Sequence, residues 1–572
     1  MGAPGNPLPC EGNSSSDISL RRRIRLSSCV GEHARGQVAR LGGRKKATAS
    51  AADVPPLVPS ALPLGLSLFI SLRQSVKSSL FAQIIAGWAK TVGTTVFRVS
   101  ILGDVRIVTL EPDHVKAILA SQFDDFEKGP VVYDILHSLL GSGVFNSDGD
   151  MWKFHRTMTR PFFNKEKIAH FDNFDRHADD IIRQAKSRLA QGYPIDFQDM
   201  VSRFTLDSAT EFLFGFDVNS SGAGLPYPDG NSLANSPEFV NHPSNRFVEA
   251  FWEGQNLTAM RSRTGDTWKL LEFWKDTIKP CRTVVDEFTR EILAEQDLHK
   301  GDIEARQGAS GAKPNENDTL LQHLVAHTQD KRVLADEIIN LLVAGRDTTS
   351  GTLTYGIYKL AEHPDILAKL RAEILDKVGP TRRPTYDDIR DMKYLRAFLN
   401  EVLRLYPIVP VNNRTAKRDT LLPYKDSSKR PVFVPKGTRC FYSVYLMHRR
   451  TELWGPDAGK FDPDRFIDER LHKYLTHNPY IFVPFNAGPR ICLGQQFAYN
   501  EMSFFLVRLL QNFSSFSLAN DAQPQDSITS FRTADASDAE MENRVFASHL
   551  TMYLKGGLWV RMTEASPSEK DA

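Results

Sequence analysis

The amino-acid sequence predicts a mainly α-helical protein with small β-sheets, an α+β fold organised as a single large domain. Apolar residues recur at helical spacing over long stretches, among them Lys165–Leu189, Asp199–Phe214 and Gln495–Leu510. Strand-like segments are few and short. From Gln74 onward no linker is long enough to separate two hydrophobic cores. The 572 residues are therefore expected to form one domain, although about 150 residues per domain would suggest four.

The composition is that of an ordinary globular protein. Apolar residues make up 41% and charged residues 24% of the sequence, which argues against collagen-like, mostly disordered and polytopic membrane chains. The net charge of +2 gives no indication of a nucleic-acid partner. The 5 cysteines are scattered and odd in number. They indicate a reducing compartment and one thiol with a special role, not a disulfide framework.

Residues 1–53 differ from the rest of the chain. They carry nine basic and four acidic side chains, a net charge of +5. The segment is rich in Gly, Ser and Ala and has almost no apolar periodicity, so we expect a disordered basic tail. An organelle transit peptide and a wrongly assigned start are the alternatives.

The segment 54–73 is apolar and has no charged residue through Leu72. It approaches the ~20 residues of a bilayer span, but four prolines in its first half oppose a continuous helix. We expect a hinge or a membrane-contacting segment. The main domain then covers 74–563, and a polar C-terminal tail covers 564–572. Within the domain, Asn219–Asn245 and His299–Asn317 are polar stretches expected to be surface insertions.

The remaining elements follow in chain order. Strands are expected at Thr95–Leu102, Val105–Leu110, Val432–Val434 and Arg439–Tyr445, with a C-terminal pair at Leu550–Leu554 and Gly557–Met562. A short helix is expected at Asp113–Ala120. A long helix is expected from about Val333 to Ala361, ended by His363–Pro364.

A cysteine pattern near the C-terminus carries the first chemical indication. The sequence Phe485-Asn-Ala-Gly488-Pro-Arg490-Ile-Cys492-Leu-Gly494 directly precedes a predicted helix. Backbone N–H groups and the helix dipole favour a thiolate at Cys492. Gly488 allows a tight turn, Gly494 allows a large flat group to approach the backbone, and Arg490 suits an anionic group on it. A buried, inert cysteine is the simpler alternative for a lone thiol.

The pattern Phe-x-x-Gly-x-Arg-x-Cys-x-Gly resembles the haem-binding signature of the cytochrome P-450 monooxygenases. The resemblance extends from about Val54 to Met562, with the signature motifs in order. It implies the cytochrome P-450 fold, with haem b between a long central helix and the cysteine loop. It also implies Cys492 as the thiolate ligand of the iron, with Phe485, Gly488, Arg490 and Gly494 around the haem.

The long helix contains Ala344-Gly345-Arg346-Asp347-Thr348-Thr349. Gly345 in mid-helix costs about 1 kcal/mol relative to alanine, and the neighbouring carboxylate and hydroxyl can relay protons. For one Asp-Thr pair alone, a polar helix face with back-bonded hydroxyls is the simpler interpretation. The segment resembles the oxygen-activation motif of the family, which makes Asp347 and Thr348 the expected proton-delivery pair. It is similar to that of fungal alkane- and fatty-acid-hydroxylating members.

Glu401 and Arg404 lie on one face of a helix that ends at Pro407. Alone, such a pair is a surface ion pair worth under ~1 kcal/mol. It matches the Glu-x-x-Arg pair of the family, whose third partner is Arg465 in Phe-Asp-Pro-Asp-Arg465-Phe. We expect this triad to be structural and to hold the region beneath Cys492.

Trp152 and Arg156 are spaced at i, i+4 on a predicted helix, a spacing that more often indicates a stacking pair. They match the Trp-x-x-x-Arg motif of the family, which binds a haem propionate. Arg414 resembles a further propionate ligand. Together with Arg490, three cations would then offset the burial of two carboxylates.

The substrate pocket is expected to be apolar, which suits a fatty acid, an alkane, a terpenoid or a polycyclic aromatic. Core packing is the alternative for each of its aliphatic residues. The segment from Lys128 to Leu140 is expected to fold over the distal face. The candidate lining residues lie in three segments: Ile339, Leu342, Val343 and Ala344; Val409, Pro410 and Val411; Leu550 and Thr551.

The function expected from the resemblance is insertion of one atom of O₂ into a C–H bond of a hydrophobic substrate. Electrons would come from a separate NADPH-cytochrome P-450 reductase, with cytochrome b5 as a further donor. The enzyme is expected to be a monomer on the cytosolic face of the endoplasmic reticulum membrane, with a mitochondrial location as the alternative. Epoxidation, desaturation or oxygen-independent rearrangement, and a non-catalytic haem sensor, are the alternative functions.

Overall fold

The computed structural model describes residues 46–48, 50–75, 80–228, 235–298, 319–328, 330–532 and 540–566. The expected basic tail lies outside these residues up to position 45, and so does the insertion His299–Asn317. Positions 567–572 of the C-terminal tail are also outside them.

Helices make up most of the described chain, as predicted. The helices of ten or more residues before the central one are Leu66–Ser75, Phe81–Val92, Pro130–Leu140, Gly149–Thr159, Asp172–Ala190, Phe197–Phe214, Pro243–Thr264 and Lys279–Leu298. Those after it are Pro364–Lys377, Lys393–Leu405 and Gln495–Asn512. Shorter helices include Pro112–Lys116, Lys165–Ile168, Pro237–Asn241, Trp268–Leu271, Leu320–His327, Tyr386–Asp391, Val444–Met447, Thr451–Trp454 and Asp468–Leu471.

The central helix is continuous over positions 331–362, which confirms the predicted long helix. It consists of the α-helix Lys331–Leu342, a π-helical turn Val343–Asp347 and the α-helix Thr348–Glu362. Its second half is buried on all sides, since Leu353, Tyr355, Ile357 and Tyr358 are each 0% exposed. A helix that is buried on all sides belongs in the middle of a large core.

The largest sheet has five strands in the order Val96–Ile101, Asp104–Thr109, Arg439–Ser443, Val411–Ala416 and Phe126–Glu127. Neighbouring strands are antiparallel except the second and third, which run parallel with Arg106 opposite Arg439. A three-stranded sheet joins Ile195–Asp196, Trp559–Glu564 and Phe513–Leu518. The two-stranded pairs are Thr420–Leu422 with Val432–Val434, Ile528–Arg532 with Met541–Arg544, and Phe546–Ser548 with Met552–Leu554.

The C-terminal strand prediction was wrong in its pairing. Met552–Leu554 pairs with Phe546–Ser548, and Trp559–Glu564 pairs with Phe513–Leu518 and Ile195–Asp196. Gly556 and Gly557 between them have φ of 73° and 78°. A Cβ at Gly557 would lie 2.2 Å from the Asp196 carboxylate. The two glycines therefore carry the chain from one sheet to another instead of folding it back into a hairpin.

Two further boundaries differ from the predicted ones. The helix predicted at Lys165–Leu189 is divided into Lys165–Ile168 and Asp172–Ala190, because Phe171 leaves helical geometry before the second helix. The strand predicted at Arg439–Tyr445 ends at Ser443, whose hydroxyl accepts a hydrogen bond from Leu446 N and so begins the helix Val444–Met447.

The proline-containing segment 54–73 is not a continuous helix, in agreement with its sequence. Arg98 N donates to Pro56 O, and Val58 N donates to Arg98 O, so its first part lies along the first sheet. Helix begins only after Leu64, which has a φ of 57°. Among the described residues, no helix is both long and apolar enough to span a membrane.

Candidate functional site

The cysteine loop, Phe485–Gly494, is closed by its own backbone. Cys492 N donates to Phe485 O at 3.0 Å, and Ile491 N donates to Gly488 O at 3.0 Å. Gly488 has a φ of 65°, and a Cβ there would lie 1.8 Å from the Leu119 carbonyl oxygen. Glycine is therefore required at 488, as predicted. At Gly494 an added Cβ would make only an ordinary 3.5 Å contact with Phe163, so the protein itself does not require glycine there.

The Cys492 side chain is accessible, although protein surrounds it. Burial raises the pKa of its thiol. The Gly494 N–H and the Arg156 guanidinium oppose that rise. Burial remains the larger effect, so a thiolate here needs a further positive charge. A bound metal ion would supply that charge and remove the proton.

Three cations meet in the same region with few carboxylates to balance them. The Arg414 residue is 3% exposed and the Arg490 side chain 8%. Burial lowers the pKa of Arg490 to about 10, with Asp148 opposing the effect. Burial also lowers the pKa of Lys128, and Arg414 and Arg490 lower it further.

The Asp148 carboxylate already accepts hydrogen bonds from three donors. It accepts from Arg490 Nη2 at 2.6 Å and from the backbone N–H groups of Lys128 and Gly129. Arg414 finds only neutral partners, the side-chain oxygen of Asn412 and the carbonyl of Asn413. The cluster therefore fits an anionic group with more than one carboxylate.

The central helix widens near its middle. The π-helical turn Val343–Asp347 contains Gly345, where the sequence predicts local weakness, and such turns frequently mark functional sites. A Cβ at Gly345 would lie 2.9 Å from Ala209 Cβ, so glycine lets the helix Phe197–Phe214 approach closely. Thr205 on that helix donates its hydroxyl to Arg346 O at 3.1 Å, which satisfies a carbonyl of the widened turn.

Asp347 and Thr348 lie side by side but are not bonded to each other. Asp347 is 8% exposed, and its Oδ1 accepts from Arg346 at 2.7 Å. Its Oδ2 accepts from Gln255 Nε2 at 2.9 Å. The Thr348 hydroxyl donates to Ala344 O at 2.7 Å. Arg346 is thus a partner of Asp347.

His549 completes a polar group near Asp347. It lies at the tip of the hairpin formed by Phe546–Ser548 and Met552–Leu554. Burial lowers the pKa of His549 to about 4, while Asp347 and Arg346 act on it in opposite directions. The ring is therefore neutral near pH 7, and its Nδ1 accepts a hydrogen bond from Thr551 N at 3.2 Å.

One of the three predicted pocket segments is part of the central helix, and the other two lie close to that helix. Met552 N donates to Ile408 O at 2.8 Å, and a Cβ at Gly351 would lie 2.9 Å from Ile408 Cδ1. Ala344, Val409, Val411 and Leu550 are half-buried, whereas Ile339 and Leu342 are at most 1% exposed and belong to the core. The half-buried members are the better candidates for lining a cavity.

Glu401, Arg404 and Arg465 are brought together and are each 0% exposed. Arg404 donates to both Glu401 oxygens at 2.7 and 2.8 Å, and Arg465 Nε lies 3.6 Å from Glu401 Oε1. Arg404 also donates to the carbonyls of His448 and Ala458. A fork-to-fork pair with further carbonyl partners is the geometry in which a buried ion pair is tolerated.

His448 connects this triad to the cysteine loop. Its Nδ1 bonds to Arg404 O at 3.1 Å, and its Nε2 accepts from Val483 N at 3.1 Å, two residues before Phe485. Burial lowers the pKa of His448 to about 3, and Arg404 lowers it further. The neutral ring thus donates on one side and accepts on the other.

Trp152 and Arg156 also lie at the cysteine loop. The Arg490 guanidinium is 4.5 Å from the centroid of the Trp152 ring. Arg156 donates to Ile491 O at 2.6 Å, directly before Cys492. Arg156 is therefore nearer the thiol than the cluster of Lys128, Arg414 and Arg490, and its predicted role as a propionate ligand stays a prediction.

Sequence reasoning missed Lys128, Gln255, His448 and His549 as site residues. Gln255 left one usable signal, an amide at a position whose helical neighbours Phe251 and Thr258 are also buried. His448 and His549 belong to no motif, because their contacts are made across the fold. Lys128 was placed only in the segment expected over the distal face.

The buried cations Lys128, Arg414 and Arg490 near the Cys492 thiol suit a metal cofactor that carries anionic groups. A family model described as cytochrome P-450 matches residues 59–534. The chain is 37% identical over 427 residues to cytochrome P-450 52E1 of Candida apicola, covering 73% of this chain and 76% of that protein. It is 38% identical over 440 residues to cytochrome P-450 52A3-B of Candida maltosa, covering 75% and 79%.

A third relative, cytochrome P-450 monooxygenase g430 of Fusarium sp, is 36% identical over 458 residues, covering 78% of this chain and 76% of that protein. The chain belongs to the cytochrome P-450 family. It is a haem-thiolate monooxygenase of hydrophobic substrates that uses haem b with a cysteine thiolate ligand and takes electrons from a redox partner.

Proposed function

We propose that this monooxygenase hydroxylates an aliphatic chain, either a fatty acid or an alkane, with Cys492 as the thiolate ligand of the haem iron. The reaction is RH + O₂ + NADPH + H⁺ → ROH + H₂O + NADP⁺. Bound haem supplies the oxygen chemistry, which a thiolate ligand promotes. The observation that carries the proposal is the setting of Cys492: its backbone N–H donates to Phe485 O, and its thiol faces the Gly494 N–H and the Arg156 guanidinium.

The choice of an aliphatic chain rests on the pocket and on the helix motif. Ala344, Val409, Val411 and Leu550 present apolar, half-buried side chains where three segments converge. The motif Ala344–Thr349 is similar to that of fungal hydroxylases of alkanes and fatty acids. Terpenoids and polycyclic aromatics are the competing substrates, and epoxidation, desaturation or rearrangement the competing reactions.

A substrate-binding screen tests this choice. We expect medium- to long-chain fatty acids or alkanes to displace the water on the ferric iron, which changes the haem absorption spectrum. Sesquiterpenes serve as the matched hydrophobic control, and they are expected to give no change at the same concentration. A spectral change with sesquiterpenes alone would contradict an aliphatic-chain substrate.

Arg414 and Arg490 are proposed to hold the haem propionates, with Trp152 and Arg156 beside the cysteine loop. The support is the surplus of buried cations. Arg414 has only neutral partners, and burial lowers the pKa of Arg490 to about 10. We add Lys128 to this group, because burial and both arginines lower its pKa. Two carboxylates would remove this repulsion.

Asp347 and Thr348 are proposed to deliver protons on the distal side. Both lie at the end of the widened turn of the central helix. The Thr348 hydroxyl is half-buried and bonded to a carbonyl of its own helix, so it can rotate towards a distal water. Asp347 can pass protons to it once the carboxylate is released from its present partners.

Replacing Thr348 with alanine tests this role. We expect product formed per NADPH consumed to fall roughly 10-fold or more, because general acid catalysis contributes about 10²-fold or more. Peroxide should account for the missing reducing equivalents. The control is Thr352→Val, one turn later, where a buried hydroxyl makes the same type of bond to Thr348 O at 2.9 Å. Equal coupling in wild type and Thr348→Ala would remove Thr348 from the mechanism.

The redox partner is proposed to be a separate NADPH-cytochrome P-450 reductase, with cytochrome b5 as a second donor. The helix Gly149–Thr159 brings Arg156 to the cysteine loop, and it carries Lys153 exposed, with Arg160 exposed directly after it. A basic surface beside the thiolate suits an acidic electron-transfer partner. The enzyme is proposed to act as a monomer, with 74–563 as its catalytic domain.

The enzyme is also proposed to rest on a membrane, at the cytosolic face of the endoplasmic reticulum. Two exposed apolar groups support this, the first at Leu62, Leu64, Leu66 and Ile70 and the second at Leu270, Leu271, Phe273 and Trp274. Trp274 is 68% exposed. A mitochondrial location remains the alternative because of the basic residues 1–53.

The two apolar groups lie on either side of the turn Leu102–Gly103, which joins the first two strands of the five-stranded sheet. Gly103 N donates to Leu64 O at 3.0 Å on one side of this turn. On the other side, Arg106 next to Asp104 donates to Arg263 O at 3.2 Å, a few residues before Leu270. Exposed apolar surface on one side of a protein marks an interaction site.

The double variant Phe273→Ser/Trp274→Ser tests membrane contact. We expect its binding to phosphatidylcholine vesicles to weaken by about tenfold or more, since each buried aromatic contributes on the order of 2 kcal/mol. Val240→Ser is the control, because Val240 is 54% exposed and lies in neither apolar group. Vesicle flotation measures the difference, and equal binding of both variants would contradict this surface.

A further inference from the structure

Asp347 is held from two different parts of the fold. Arg346 is its neighbour on the central helix and moves with it. Gln255 lies on another helix, Pro243–Thr264, called the Gln255 helix below, and is 1% exposed. Its Nε2 donates to Asp347 Oδ2 at 2.9 Å. Only this second bond depends on the distance between the two helices.

The glutamine is not explained by packing alone. Its Oε1 is buried and has no hydrogen-bond partner among the described residues, and neither has Arg346 Nε on the other side of Asp347. An unpaired buried acceptor is unfavourable, and an unbranched apolar side chain such as methionine would avoid it. The Gln255 amide differs from such a side chain in its hydrogen bond to the Asp347 carboxylate.

The Gln255 helix and the central helix share one apolar cluster. Phe247 and Phe251 belong to the same apolar cluster as Ile339 and Val343, and the half-buried Leu257 and Leu550 pack against that cluster. Because such clusters are closely packed, a substrate that enters beside Leu550 is expected to displace side chains of the Gln255 helix. His549, next to Leu550, is close enough to Asp347 for the carboxylate to act on its pKa.

We propose that Gln255 is a positioning residue that holds the Asp347 carboxylate away from Thr348 until substrate occupies the pocket. Substrate then separates Gln255 from Asp347 Oδ2, and the released carboxylate exchanges protons with Thr348. Proton delivery is thereby linked to substrate binding. This inference rests on the proposed roles of Asp347 and Thr348.

The linkage suppresses a wasteful reaction. Without substrate there is no C–H bond to oxidise, so protons passed on by Asp347 end in peroxide: NADPH + H⁺ + O₂ → NADP⁺ + H₂O₂, in which oxygen takes both electrons. A restrained Asp347 slows this reaction. Loss of the bond between Gln255 and Asp347 should therefore increase NADPH consumption in the absence of substrate. A purely structural role of Gln255 would not change this rate.

The test is substrate-free NADPH consumption by the reconstituted holoenzyme with reductase. We expect Gln255→Met to raise this rate about tenfold, the effect of one hydrogen bond to a charged group, with peroxide as the product. Gln255→Glu keeps the size of the side chain but removes the donor, and should act in the same direction. Thr258→Val is the matched control, because Thr258 is buried one turn later and bonds only to Gly254 O of its own helix.

The double variant Gln255→Met/Asp347→Asn distinguishes the role of Gln255 from the proposed proton-delivery role of Asp347. We expect it to lose the extra NADPH consumption, because the restrained group is gone. An unchanged substrate-free rate in Gln255→Met and Gln255→Glu, or an equal rise in Thr258→Val, would overturn the role of Gln255. Persistence of the rise in the double variant would also overturn it. Wild-type coupling in Asp347→Asn with substrate would instead refute the proton role of Asp347.

Discussion

Replacing Arg404 with leucine should prevent stable folding of the holoprotein. The guanidinium and its partner Glu401 are both 0% exposed. Loss of one member leaves a buried carboxylate without its bidentate partner, which costs about 3–5 kcal/mol. The carbonyls of His448 and Ala458 lose a donor at the same time. We expect a large fall in the yield of haem-loaded protein and in its apparent melting temperature.

Two other variants make this prediction specific. Arg404→Lys keeps the charge but cannot form the two-pronged bond, and its melting temperature should lie between those of wild type and Arg404→Leu. Arg390→Leu is the exposed control, since Arg390 forms an i, i+3 pair with Asp387 at the surface, and it should melt like wild type. A wild-type melting temperature and haem content in Arg404→Leu would show that the triad does not hold the cysteine loop.

Replacing Cys492 with alanine should abolish monooxygenation while leaving the polypeptide folded. Removal of the sulfur itself costs about 1 kcal/mol of packing, but no other described side chain replaces the thiol beside the Gly494 N–H and the Arg156 guanidinium. Product formation with the best substrate of the screen should fall below detection. Cys281→Ser, which alters a half-buried free thiol elsewhere, should retain wild-type activity.

Much of the fold follows from local sequence because its signals are local. The central helix follows a long helical pattern that ends at His363–Pro364. The pairing of the C-terminal strands could not be predicted in the same way. Trp559–Glu564 pairs with Phe513–Leu518, some forty residues earlier, and with Ile195–Asp196 at the other end of the domain. The sequence of Trp559–Glu564 itself does not indicate either partner strand.

The candidate site likewise contains residues that local sequence motifs predict and residues that they do not. Cys492, Asp347 and Thr348 were named because each belongs to a short motif, and Gly488 because a tight turn needs it. Gln255 acts through a hydrogen bond to Asp347, 92 residues away, and His448 through bonds to Arg404 and Val483, 44 and 35 residues away. Such contacts exist only once the helices have packed. The sequence showed that polar residues occur at these positions, but it did not indicate their partners.

The central claim is that a thiolate from Cys492 holds the haem iron. The most direct measurement is the absorption spectrum of the reduced holoprotein with carbon monoxide. Wild type should show a Soret band shifted strongly to the red, as a thiolate opposite carbon monoxide produces, and Cys492→Ala should lack it. An unshifted band from folded, haem-loaded wild type would contradict the account.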